Sequence, residues 1–153
     1  MRARTVVFAL FLAASPLGAQ SPTHGLDVGR KMLAEDNPGE LWLDRGKKLF
    51  HEKRGPKNAS LEQCDFGLGA GALDGASVQL PRYFEDTGGV QDLESRLLTC
   101  MERLQGYKRQ DLVRSAVSPA ASDGSDIEAL ALYITSRSNG MKMNVRLEHP
   151  KER

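Results

Sequence analysis

Apolar residues recur at three- and four-residue spacing in three stretches, and a long stretch between the first two has no such rhythm. In the first, Leu41, Trp42, Arg45, Leu49 and Phe50 fall along one stripe, which predicts an amphipathic helix ending near Glu52. Asn37 can cap it, with Pro38 at its first position, where a missing N–H costs nothing. Trp42 reads as a core residue or as packing for a cofactor. In the second stretch, Val90, Leu93, Leu97, Cys100, Met101 and Leu104 share a face, predicting a helix over 90–104 with Cys100 pointing inward and Gly106 ending it. In the third, Ile127, Leu130, Tyr133 and Ile134 line a helix from Asp126 to about Ser138. Asp123 or Ser125 caps it and Asn139-Gly140 stops it. Weaker signals give a short helical piece over 26–34, a turn over 111–117 and a loop over 118–121.

The stretch from Arg54 to Arg82 is a loop punctuated by Gly55-Pro56, Asn58, Gly67, Gly69, Gly71 and Gly75. A loop of that length in a small domain is functional or is built around something. The Gly67, Gly69, Gly71 run follows no strand and opens no helix, so it is a poor phosphate cradle. Residues 141–153 read as an extended tail or linker in which Pro150 prevents helix.

Arg2 and Arg4, an apolar run from Val6 to Ala14 and Pro16-Leu17-Gly18-Ala19 form a cleavable secretory signal over residues 1–19, too short to span a bilayer. A flexible leader (20–26), one domain (27–140) and the tail (141–153) follow. Cleavage takes Arg2 and Arg4 from the 21 basic residues and none of the 20 acidic ones. The balance stays near neutral, which argues against nucleic acid or an anionic membrane as the main partner. The chain has 2 cysteines, Cys64 and Cys100. In an exported chain these read as one disulfide or, alternatively, as a reactive thiol at Cys100. Neither they nor His24, His51 and His149 have zinc-site spacing, and no nucleophile–base set stands out, so no catalytic or metal-binding residue is assigned. The 52–57 loop could offer cations to an anionic substrate or be a solvated turn. Arg82 and Arg96 could anchor the glycine-rich loop through backbone carbonyls.

Gly46-Lys47-Lys48-Leu49-Phe50 and Asp126 to Ile134 resemble the first and last helices of a class I cytochrome c. Between them, where Cys-x-x-Cys-His would attach and ligate haem, stands Leu61-Glu62-Gln63-Cys64-Asp65. Leu61 replaces the first cysteine and Asp65 the axial histidine, a degenerate motif with no haem-binding residue left. More specifically, Arg54 to Asp65, Gln79-Leu80-Pro81-Arg82-Tyr83-Phe84, Gln91 to Leu97 with Cys100-Met101, and Ser138-Asn139-Gly140-Met141 resemble the N-terminal domain of SoxA, the haem subunit of the periplasmic sulfur-oxidising system. The likeness is to members without the N-terminal haem. It implies a disulfide between Cys64 and Cys100, the latter standing where haem-bearing relatives place an axial ligand.

The fold expected is therefore all-α: a class I cytochrome c-like domain that has lost its haem, with long glycine-rich loops and one disulfide. The resemblance implies a chain cut short before a second, haem c-bearing domain that carries the catalytic cysteine. It also implies a periplasmic location. The implied partners are a SoxX-like monohaem cytochrome c and a sulfur carrier protein, whose cysteine the complete complex couples oxidatively to thiosulfate. This chain by itself is expected to be inactive. The competing readings are a stand-alone disulfide-held periplasmic binding module and a small electron-transfer cytochrome, the latter opposed by the missing attachment motif.

Overall fold

A computed structural model describes residues 28–31, 37, 39–116, 125–146 and 148–152. The signal and leader, most of the 26–34 segment, the 118–121 loop and Asp123 lie outside the described residues. Contacts divide the chain at residue 37. Of the first unit, residues 28–31 are helical. The second contains helix α1 (Gly39–His51), strands β1 (Arg82–Phe84) and β2 (Gly89–Gln91), and helices α2 (Leu93–Cys100), α3 (Arg109–Ala116) and α4 (Asp126–Ser136).

The all-α expectation is corrected by the β1–β2 hairpin, whose antiparallel register pairs Arg82 with Gln91, Tyr83 with Val90 and Phe84 with Gly89. Val90, read as the first residue of a helical face, is instead a strand residue and exposed. Gly88 turns the chain with φ 66°, and its N–H bonds Phe84 O at 2.9 Å. Helix α2 begins only where the Asp92 side chain accepts from Ser95 N, giving the N-cap. One wider turn, Met101–Gln105, extends α2 to Gly106, whose φ of 79° ends it in the left-handed region that glycine tolerates.

Helix α1 packs along α4, the most extensive contact between elements. Gly46, Leu49 and Phe50 are its buried residues, Trp42 is half-buried, and Leu41, placed by its spacing on the apolar stripe, is exposed. On α4 the buried residues are Ile127, Ala129, Leu130 and Ile134. Ser125 caps α4 in a full capping box with Glu128. The 111–117 turn is a complete helix, α3, with Leu112 as its buried anchor.

Asp126, in the first turn of α4, takes Arg45 Nη2 at 2.7 Å and Arg54 Nη2 at 2.8 Å. Partial burial opposes its ionisation, but the hydrogen bonds from Arg54 and then Arg45, with their charges, outweigh it and hold the carboxyl below its ordinary value. A lowered folded value means stability that is present above the ordinary 3.8 and is lost as pH falls through the folded value. Asp126→Asn should cost about 1–2 kcal/mol at pH 7. Urea unfolding at pH 7 and pH 3 checks this: the gap to the parent chain should narrow at pH 3, and a constant gap contradicts the assignment.

The tail is not free. Residues Pro150–Glu152 form a 3-10 turn that Pro150 opens, the one place in a helix where its missing N–H is harmless. His149 stacks on Tyr83 at 3.6 Å between ring centroids. Glu152 accepts from Tyr83 N at 2.5 Å and Lys151 Nζ donates to Gly88 O at 2.9 Å. The tail thus straps the hairpin.

Candidate functional site

The turn carrying the cysteine follows from a few backbone bonds. Leu61 N donates to Phe50 O at 3.0 Å, hanging the turn from the end of α1, and Cys64 N donates to Leu61 O at 2.8 Å. Leu61 and Cys64 are buried, at 0% and 1% exposure. Cys64 is bonded to Cys100 at the end of α2, with Cα atoms 5.6 Å apart. Phe50, Phe66, Leu97, Leu130 and Ile134 belong to the same buried cluster. Apolar side chains and the two sulfurs therefore fill the space between the cysteine turn, α2 and α4.

Asp65 has a local task. Its Oδ1 accepts from Gly67 N at 2.6 Å and Gly69 N at 2.9 Å, while Gly71 N donates to Cys64 O. The N–H groups that a phosphate would need are thus spent on the loop itself. Arg96 Nε donates to Asp65 O at 2.6 Å, and its Nη1 bonds both Asp86 carboxylate oxygens and Gln91. Arg96 is buried, and its guanidinium lies 4.0 Å over the Phe84 ring. It ties the cysteine turn to the hairpin. Arg82 Nη1 donates to Gly67 O at 2.6 Å, so both arginines do anchor the loop through carbonyls.

Two of the three cations of the 52–57 loop are also committed, while Lys53 is exposed. Arg54 pairs with Asp126, and Lys57 Nζ donates to Arg103 O at 2.7 Å. His51 Nδ1 meets Glu62 Oε1 at 2.7 Å. That bond, then the one from Ser60, holds the Glu62 carboxyl below its ordinary value. Among the described residues no group of three or more His, Cys, Asp or Glu could hold a metal ion, and no helix is long and apolar enough to cross a membrane.

The family model of the SoxA/TsdA cytochrome c domain matches residues 45–143. The chain belongs to the SoxA/TsdA cytochrome c domain family. The matched region runs from within α1, through the cysteine turn and α4, to the first residues of the tail. The SoxA identification is supported by named relatives. The chain is 49% identical over 122 residues to the L-cysteine S-thiosulfotransferase subunit SoxA of Hydrogenophilus thermoluteolus, covering 80% of this chain and 44% of that protein. Two SoxA subunits of Hydrogenobacter thermophilus are 31% identical over 97% of this chain and 34% over 88%, covering 55% and 48% of those proteins. The chain thus spans about half the length of the curated relatives it matches.

A cytochrome c domain family implies haem c. The donor set of this chain does not fit a covalently attached haem. Attachment needs two thiols and a histidine in one turn. Here Leu61 is a fully buried hydrocarbon, Cys64 is consumed in the disulfide, and the Asp65 carboxylate is occupied by two loop N–H groups. Met101 is buried beside the disulfide, while Met141 and Met143 are exposed beyond α4. His51 and His149 are engaged with Glu62 and Tyr83.

Sequence reasoning missed two features that shape this site. Gly46 approaches α4 so closely that a Cβ there would lie 2.0 Å from Ala129 O. The Tyr83–His149 stack joins residues far apart in sequence. The first could have been suspected from a glycine interrupting a helix; a single sequence carries no signal for the second.

Proposed function

We propose that this chain is the haem-free, disulfide-held part of a SoxA-type L-cysteine S-thiosulfotransferase subunit, acting in the periplasm as scaffold and contact surface. The observation that carries this reading is the Cys64–Cys100 bond in a turn where Leu61 and Asp65 stand for the attachment cysteine and the iron ligand. The names and greater lengths of the relatives support it, and the signal read in residues 1–19 supports export. On this reading the haem c of the subunit, with its Cys-x-x-Cys-His, belongs to a part outside these 153 residues. The partners are a SoxX-like monohaem cytochrome c and a sulfur carrier protein. The thiolate of the carrier cysteine and the outer sulfur of thiosulfate join in one S–S bond, and the two electrons released pass to haem. The residues of this chain contribute no reacting group to that step.

Purified by itself, the chain should give no pyridine haemochrome band and no thiosulfate-dependent reduction of a SoxX-like cytochrome. Calorimetry should find binding to that cytochrome weaker than about 1 μM, because the main contact lies with the haem-bearing part. A covalent haem band, or tighter binding, overturns the reading.

A further inference from the structure

Beside the hairpin and the docked tail lies a groove of about 810 Å³, walled by the Asp65–Gly67 loop, β1, Arg146 and residues 148–152. Its charges are unevenly satisfied. Asp65 accepts from two loop N–H groups. Asp86 is shared between Arg96 and Arg103. Glu152 accepts from Tyr83 N and His149 N, bonds that hold its carboxyl below the ordinary value, the Tyr83 bond more strongly. Arg96 is spent on Asp65 O, Asp86 and Gln91.

Arg82 is the exception. It is half-buried, and apart from the backbone pairing of β1 its one hydrogen bond among the described residues is from side-chain Nη1 to the Gly67 carbonyl, with no carboxylate within ion-pair distance and no partner for Nε–H or Nη2. A guanidinium partly withdrawn from water and uncompensated is costly, and a fork of parallel N–H donors matches a carboxylate in two bonds. The loop is shaped to hold it there. A Cβ on Gly67 would lie 2.5 Å from Arg82 Cδ and 2.6 Å from Nη1, so the arginine lies directly against the loop, whose φ of 100° at that position favours glycine. A second guanidinium, Arg146, lines the same groove and, among the described residues, has the exposed Glu148 as its only ion-pair partner, at 3.7 Å. The segment carrying it is followed at once by the Tyr83–His149 stack and the Lys151–Gly88 bond, which fix that wall.

We propose that this groove binds a carboxylate, gripped by Arg82 and assisted by Arg146. The same chemistry is offered by an acidic side chain of a protein partner and by a free small organic acid. Glu85, exposed and without an ion-pair partner among the described residues, also lines the groove; its charge opposes the ligand, so its neutralisation tightens binding.

The test is a titration of the isotope-labelled full chain with glutarate and with the capped peptide Gly-Glu-Glu-Gly, against chloride at matched ionic strength. Saturable shifts are expected at the amides of Gly67, Tyr83, Glu148, His149, Lys151 and Glu152, and in the Arg82 Nε–H signal. Arg82→Gln should weaken binding by about tenfold or more, and Arg146→Gln, at an exposed position that leaves the fold intact, by severalfold. Glu85→Gln should strengthen it. Peptide binding much tighter than glutarate assigns the carboxylate to a protein partner; equal strength per carboxylate assigns it to a free acid. Shifts reproduced by chloride, or affinities within twofold of the parent in both arginine variants, overturn the proposal. The titration needs neither haem nor a cytochrome partner, so its failure is distinct from failure of the functional reading above.

Discussion

Removing the Cys64–Cys100 bond should lower the unfolding free energy by about 4 kcal/mol on the chain-entropy model. The two cysteines are 36 positions apart, so cutting the link frees a long loop of the unfolded chain while the folded state keeps its shape. The loop it closes runs from the cysteine turn through the hairpin to the end of α2. Its first part, residues 64–81, has a single 3-10 turn, Ser77–Gln79, as regular structure, so few local bonds there would replace the link. Reduction is the cleaner route, because it adds no foreign side chain to a buried site; Cys64→Ser with Cys100→Ser should cost somewhat more, since it buries two hydroxyls. Urea unfolding with and without reductant measures the effect. A loss below about 1 kcal/mol would show that the fold does not depend on the bond. Unreduced and denatured, the chain should show no reactive thiol; two thiols per chain contradict the pairing.

Gly46→Ala should destabilise the chain by about 3 kcal/mol or more, against the usual sign for that change in a helix. On an exposed helix, glycine to alanine gains about 1 kcal/mol. Here the new Cβ would meet Ala129 O at 2.0 Å, Ala129 C at 2.7 Å and Tyr133 Cβ at 2.8 Å. Two of these are backbone atoms of α4, which no rotamer change can move aside, so the helices must separate along their main contact. The Tm should fall by more than about 10 °C, read by circular dichroism at neutral pH. A variant that melts with or above the parent would show that α1 and α4 are not in such close approach.

Local chemistry explains why three helices were legible. Ser125, one of two candidate caps, marks the start of α4, Gly106 the end of the α2 segment, and the Leu49–Phe50 and Leu130–Ile134 spacings mark buried faces. The hairpin was not legible, because Val90 fits the helical spacing of Leu93 and Leu97 equally well. Pairing with Tyr83 decides its conformation, and that contact lies across a turn. Leu41 was misplaced for a related reason: the stripe on α1 is centred on Gly46, a residue with no apolar side chain to reveal it. Pro150 was read as a helix breaker, yet it opens a turn, since the rule against proline applies within helices and not at their first position.

For the site, the residues that could never hold haem were visible at once. Covalent attachment requires residue types at fixed spacing, and Leu61 and Asp65 are of the wrong type. The family, too, was readable from short runs of residues. Spacing alone left open what Cys64 and Cys100 do; the pairing came from resemblance, and the Cα separation of 5.6 Å comes from the fold.

From its residues alone the chain determined the cap that starts α4, the glycine stop after α2, its glycine turns and the absence of a haem attachment motif, because each depends on neighbours within a few positions. Only the tertiary structure decided the closeness of Gly46 to Ala129, the strap on the hairpin and the unequal fates of Arg82 and Arg96. Those depend on which distant groups share a space, and a guanidinium is satisfied or unsatisfied only once its surroundings have assembled.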